Sequence, residues 1–250
     1  MIHWLLQAAD EHPDIARGVA PAGILCAAEQ QRLAALHVPK RRRDWLLGRL
    51  TAKQLLQSVL SGEAEQAVGL HEILIGNDAD GAPFAALDKG RTSAPTGAGQ
   101  RLAGSLSISH SRGVAFSAFY AFDPKEEQSA IGADIEFIEP RAESFIRDFF
   151  TDAEMAMVQQ AGPATTAVLV TACWSAKEAV LKALRTGLRL DTRQVQCLIR
   201  PPLPVGEEWQ SFEIQILDPA YAAGAWSGWW RRLPQYPDFV LTMALCTDAP

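Results

Sequence analysis

The chain has 250 residues, 48% hydrophobic and 21% charged, the composition of an ordinary folded protein rather than a disordered one. Lys and Arg number 23 against 29 Asp and Glu, so the formal charge is 23 − 29 = −6, which excludes the global basic field of a nucleic-acid binder. No apolar run reaches the roughly 18 residues of a membrane span, and Cys26, Cys173, Cys197 and Cys246 are too scattered for a zinc site or a disulfide framework.

The start of the chain mixes a short apolar run with Asp10, Glu11 and Asp14, which does not read as a signal peptide; the expected compartment is the cytoplasm. A short helix is predicted over Ala27–Leu36, and a second from about Arg41 to Leu60, ending at Ser61-Gly62. Leu46, Leu50, Leu56 and Leu60 can line the buried side of the second, with Arg42, Arg49 and Lys53 as its polar stripe. Lys40, Arg41, Arg42 and Arg43 form a basic run at its start. Such a run suits a small, highly charged ligand or an acidic partner, and equally a solvated helix start.

His71–Ile75 reads as a strand, followed by a turn over Gly76–Gly81, and Lys89–Gly104 as a surface loop rich in Gly, Ser, Thr and Pro. Leu106–Ser109 and Val114–Phe122 carry strand signals, and the charged run Asp123–Gln128 is the candidate linker between two parts. Ile131–Ile138 follows as a strand, with Ile131, Ala133, Ile135 and Phe137 on the face expected to meet the core. Thr151 with Glu154 makes a capping box for a helix ending near Gly162-Pro163; a longer helix spans about Thr166–Arg185 and stops at Gly187. Val195–Cys246 reads as strands with Pro-rich connections. The ordering indicates an α+β or α/β protein.

Three short segments carry chemistry. In Gly132-Ala133-Asp134-Ile135-Glu136, alternation along a strand puts Asp134 and Glu136 on one face, their Cβ atoms roughly 7 Å apart, within reach of one cation. Alone, the pair reads first as a solvated strand face. In Trp174-Ser175-Ala176-Lys177-Glu178-Ala179-Val180-Leu181-Lys182, helical spacing gathers Trp174, Glu178 and Lys182 on one face, which alone is an ordinary helical Glu–Lys pair. Ser109-His110-Ser111 places a histidine at a strand end, a structural residue or a donor to a phosphate oxygen. Adjacent strand residues point to opposite faces, and no G-x-S-x-G elbow is present, so a hydrolytic Ser/His pair is not expected.

Taken together, the segments resemble the 4'-phosphopantetheinyl transferases, in particular the larger monomeric type that activates peptide and polyketide synthase carrier proteins. That family has a G-x-D segment followed some forty residues later by W-S-x-K-E-x-x-x-K; here 39 residues separate Asp134 from Trp174. Ser109-His110-Ser111 matches its S-H-S segment, Phe149-Phe150-Thr151 with Glu154 its phenylalanine-rich helix start, and Leu47-Gly48-Arg49-Leu50 its early helix.

The resemblance implies two similar halves in a pseudo-twofold arrangement, each a small sheet packed with helices. Residues 1–122 would lie on the 3'-phosphate side of coenzyme A, and 123–250 would carry the magnesium site. Mg²⁺ would be held by Asp134, Glu136 and Glu178; His110 and Lys182 would meet the diphosphate; Ser109 belongs to the same coenzyme A segment; Arg32 falls where the family places a base for the 3'-phosphate. Glu178 is the expected general base, with Lys182 and His110 completing the catalytic set. Coenzyme A and an apo acyl or peptidyl carrier protein are the implied partners, with no nucleic acid and no membrane, and the chain is expected to be a monomer.

The sequence departs from the family at Ala82, where a lysine is usual, and at Asn77, where an arginine belongs; Lys40, Arg43 or Arg91 are the candidates to replace them. Two other readings stay open, a Mg²⁺-dependent hydrolase of the coenzyme A diphosphate and a non-catalytic module that binds coenzyme A or a carrier.

Overall fold

The helix and strand periods of the sequence resolve into two compact units, Met1–Lys125 and Glu126–Pro250, in a computed structural model that describes residues 1–61, 68–87, 99–122 and 129–247. The first unit runs β1 (Ile2–Ala8), α1 (Pro13–Ala16), α2 (Ala27–Ala34), α3 (Pro39–Ser61), β2 (Ile73–Asn77), β3 (Pro83–Leu87), β4 (Gln100–Arg101), β5 (Gly104–Ser111) and β6 (Val114–Ala121). Its strands form two antiparallel sheets, ordered β1-β6-β5 and β2-β3-β4. The long helix α3 joins them. Leu46, Leu47 and Leu50 share a core with Ala115, and Ala52, Leu55 and Leu56 share another with Ile73, Ile75, Leu106 and Phe119.

A buried ion pair ties α2 to α3 and β2. The Glu29 carboxylate accepts the Cys26 N–H at the start of its own helix (3.2 Å), the Ile75 N–H (3.2 Å) and the ammonium of Lys53. Lys53 is fully buried and also donates to the carbonyls of Ile24 (2.8 Å) and Leu70 (3.1 Å). The polar stripe of α3 therefore faces inward at Arg49 and Lys53 rather than toward water.

The second unit runs β7 (Ala130–Phe137), α4 (Glu143–Phe149), α5 (Asp152–Gln159), α6 (Pro163–Ala183), β8 (Val195–Leu198), β9 (Gln210–Ile216), β10 (Ala225–Leu233) and β11 (Tyr236–Thr247). Its antiparallel sheet has the order β7-β11-β10-β9-β8. Leu169, Cys173, Ala176 and Val180 of α6 pack with Phe212, Trp230, Val240 and Ala244 of the sheet. The predicted capping box forms: Glu154 N–H donates to Thr151 Oγ1 (3.3 Å), and Thr151 N–H to Glu154 Oε2 (2.7 Å). The same carboxylate takes the Lys177 ammonium (2.8 and 2.7 Å) and the Cys197 N–H (2.7 Å), and Lys177 also donates to the Val195 carbonyl.

Several expectations need adjustment. The strand predicted from His71 begins at Ile73, because Leu70–Glu72 form a 3-10 turn in which Glu72 accepts the Gly69 N–H (2.7 Å). The helix expected from Thr166 starts at Pro163, whose missing N–H is tolerated in a first turn. Within the expected loop Lys89–Gly104, Gln100–Arg101 pair with β3; residues 89–98, and with them Arg91, lie outside the described residues, as does the candidate linker Asp123–Gln128. The apolar face of β7 is buried as expected at Ile131, Ala133 and Ile135, but the acidic face is not solvated there: Gly132 and Asp134 are buried too, with the long helix α6 lying against Gly132. All four cysteines are free and buried. Among the described residues no helix is long and apolar enough to cross a membrane.

Candidate active site

The site in the second unit is built by the close approach of α6 to β7. Gly132 makes that approach possible, since a Cβ there would overlap the carbonyl oxygen of Ala179. With no side chain between them, helix and strand meet backbone to backbone, and the residues next along each element are brought together. Asp134 follows Gly132 on the same strand face; Glu178 and Lys182 flank Ala179 on the helix.

Asp134 is 4% exposed and held on both oxygens. Ser175 Oγ donates to Oδ2 (2.8 Å) and shares a hydrogen bond with Thr242 Oγ1 (2.9 Å), the residue opposite Asp134 in β11. The Lys182 ammonium donates to Oδ1 (2.7 Å) and to the Ala133 carbonyl (3.0 Å). A buried carboxylate with two fixed donors of this kind is held where it is.

Its charge is felt by both neighbouring acids. Burial, and after it the charge of Asp134, pushes the Glu136 carboxyl up to about 7, with Arg141, a hydrogen bond from Trp174 and Lys182 acting the other way. Burial and Asp134 likewise raise the Glu178 carboxyl, and Lys182 opposes them. The three acids and Lys182 therefore share one neighbourhood. As the side chains stand, no three His, Cys, Asp or Glu among the described residues are gathered tightly enough to hold an ion. The residues nevertheless fit a divalent cation by donor chemistry, being hard carboxylate oxygens, and by charge, since two of them are raised by burial and then by the charge of the third.

An aromatic collar stands beside Glu136. Trp174 packs edge-on against Phe145 (5.0 Å between centroids) and Phe149 (5.3 Å) of α4, and the Arg141 guanidinium lies over the Phe145 ring (5.1 Å). Arg141 approaches Glu136 Oε2 at 3.6 Å and Glu139 Oε1 at 3.2 Å. The sequence pattern marks Trp174, but nothing in it marks Arg141.

Within the first unit, Lys40 and His110 approach a common carboxylate. Lys40 Nζ donates to Asp44 Oδ2 (2.7 Å), and His110 Nδ1 on β5 is 3.9 Å from the same oxygen. Ser109 is buried beside His110 in the strand. Arg32 is close enough to Arg49 for its charge to lower the Arg49 pKa, although burial is the larger cause. Arg43 is exposed near the start of α3, while Arg42 is committed to the fold, donating to the carbonyls of Gly18 (2.6 Å) and Leu33 (2.6 Å). Sequence reasoning placed Arg49 only in the polar stripe and early-helix segment of this helix; it stacks over Trp45 (4.9 Å) and reaches Asn77 Oδ1 (3.5 Å) and Glu29 Oε1 (3.8 Å). The available signal was the Trp45–Arg49 spacing of four on a helix.

A family model, described as the 4'-phosphopantetheinyl transferase superfamily, matches residues 130–227. The matched segment contains Asp134, Glu136, Trp174, Glu178 and Lys182. Among solved structures, a holo-[acyl-carrier-protein] synthase of Thermotoga maritima matches 46% of this chain at 18% identity with a TM-score of 0.34, the match spanning 61% of that protein's own length. A holo-ACP-synthase from Plasmodium yoelii matches 47% of this chain and 90% of its own at 14% identity, with a TM-score of 0.31. No curated protein matches the chain.

Proposed function

We propose that the chain moves the 4'-phosphopantetheine group of coenzyme A onto a serine of an apo acyl or peptidyl carrier protein, releasing 3',5'-ADP. One observation carries this reading: Asp134 pairs with Lys182 at 2.7 Å, and burial together with the charge of Asp134 raises both Glu136 and Glu178, all inside the segment that the superfamily model matches. Three carboxylates around one another, with a lysine among them, suit a cation and a polyanionic ester better than they suit a solvated surface.

Asp134, Glu136 and Glu178 would hold Mg²⁺, which when bound supplies positive charge next to the diphosphate of coenzyme A. The rest of the chemistry falls to the chain's own groups. Glu178, whose carboxyl is raised, takes the proton of the carrier serine hydroxyl directly or through a water. The serine oxygen bonds to the β-phosphorus as the bond from that phosphorus to the bridging oxygen breaks, and 3',5'-ADP departs. Negative charge grows on the phosphoryl oxygens, where the Lys182 ammonium offers protons it otherwise shares with Asp134 and the Ala133 carbonyl. Ser175 and Thr242 keep Asp134 in place through the step.

The first unit is assigned to coenzyme A, with Arg32, Lys40, Arg43, Ser109 and His110 as its contacts and the 3'-phosphate near Arg32. Residues 1–122 and 123–250 are proposed as two similar halves. Support comes from matching internal devices. Each unit has a glutamate in the first turn of a short helix, a buried lysine partner in the following long helix and a strand N–H on the same carboxylate: Glu29, Lys53 and Ile75 in one, Glu154, Lys177 and Cys197 in the other. A cytoplasmic monomer completes the proposal.

The test incubates the protein with coenzyme A, Mg²⁺ and an apo carrier protein. A mass gain of one phosphopantetheine on the carrier serine supports the reading. Free phosphopantetheine with an unmodified carrier would indicate a hydrolase, and coenzyme A bound but unchanged would indicate a binding module.

A further inference from the structure

Asp134 and Glu136 lie on one strand face, yet they are held by different means. Asp134 is bound by Lys182 and by Ser175, and Ser175 is in turn bonded to Thr242, the residue opposite Asp134 in the sheet. Glu136 sits opposite Val240, which offers its carboxylate nothing. Its support comes from outside the sheet, from the Trp174 indole N–H and from Arg141, which lies four residues beyond the end of β7.

Arg141 is built for this contact at some cost to itself. Its guanidinium rests on the Phe145 ring, one terminal nitrogen meets Glu139 and the other meets Glu136 Oε2. Its Nε is buried and has no hydrogen-bond partner among the described residues. A buried unsatisfied N–H destabilises a fold, so stability alone does not account for the placement. Pro140 limits the backbone just before it, and the edge-on contact of Phe145 with Trp174 couples the arginine's platform to the helix that carries Glu178. The indole N–H and a guanidinium 3.6 Å from Oε2 together restrict the carboxylate's rotation, as partners behind a metal ligand do.

We propose that Arg141 is a positioning residue for Glu136, holding the carboxylate in the orientation from which it meets the divalent cation, and that it acts on cation affinity only through Glu136. The proposal rests on the transferase reading above in taking Glu136 as a cation ligand. Arg141 touches neither the diphosphate nor the carrier in this account.

The experiment titrates Mn²⁺ against the full chain without coenzyme A, following the free ion by electron paramagnetic resonance. Wild type is expected to bind one ion and E136Q to bind it more weakly. R141Q should weaken binding by about 10-fold or more, the usual effect of removing a group that orients a metal ligand. R141K, which keeps the charge but not the two-pronged geometry, should fall between wild type and R141Q. The double variant E136Q/R141Q should bind no more weakly than E136Q. In transfer assays R141Q should raise the Mg²⁺ concentration needed for half-maximal rate and leave the KM for the apo carrier unchanged.

Equal Mn²⁺ affinity in wild type and E136Q would overturn the ligand assignment beneath the proposal. With that difference intact, wild-type affinity in R141Q, or a further loss in the double variant, would overturn the proposal alone. If R141Q does not fold, R141K decides by the same comparison.

Discussion

Gly132 and Ala179 touch backbone to backbone, so that any side chain at position 132 would occupy the space of the Ala179 carbonyl oxygen. The Gly of the G-x-D segment is therefore a packing residue, and the Asp two positions later owes its contact with Lys182 to it. We predict that Gly132→Ala destabilises the protein by about 2–3 kcal/mol, since the clash is with backbone and cannot be relieved by a rotamer change. Chemical denaturation measures the loss. The surviving folded protein should also transfer poorly, because α6 must shift and carry Glu178 and Lys182 with it.

A second prediction concerns the buried pairs. Lys177 and Glu154 are both fully buried, and Lys177→Met leaves the Glu154 carboxylate without its cation. Breaking such a pair from one side costs about 3–5 kcal/mol. Lys53→Met should act similarly on Glu29. Both losses should appear in unfolding curves, and the folded fraction of Lys177→Met should retain cation binding, as Lys177 does not face the acids.

The pH dependence of the cation-free protein follows from Glu136 and Glu178. Both are raised in the folded state, Glu136 from the ordinary 4.5 to about 7, so the folded chain holds protons that the unfolded chain gives up. For a raised carboxyl, stability falls with rising pH wherever the folded state binds more protons. In the presence of a chelator, the free energy of unfolding should therefore decline between about pH 4.5 and 7 from this source. Glu136→Gln should flatten the decline, and a series of denaturation curves across that range checks it. An unchanged slope in Glu136→Gln would remove Glu136 from the account.

Legibility in the sequence divided along a physical line. Periodicity gave β7 and α6, and the spacing of Trp174, Glu178 and Lys182 on one helix face was readable because local geometry alone sets it. The Thr151–Glu154 box was readable for the same reason. What Glu154 does besides capping was hidden, because its other partners, Lys177 and the Cys197 N–H, are 23 and 43 residues away in sequence. The equivalent box at Cys26–Glu29 was missed since cysteine is not a favoured capping residue. The covering of the acidic face of β7 was hidden, because a glycine contributes no apolar area and yet admits the closest neighbour. Arg141 gave no sequence signal at all, being placed by a turn and a ring rather than by a repeat.

The account stands or falls on the carboxylate of Glu178 acting beside Asp134 and Lys182. The most direct measurement is transfer of phosphopantetheine to an apo carrier by Glu178→Gln, a change that keeps the side chain's shape and removes its charge and basicity. With thermal unfolding used to confirm that the variant is folded, transfer should slow by at least about 10²-fold. A folded Glu178→Gln that modifies the carrier within a few fold of the wild-type rate would contradict the account.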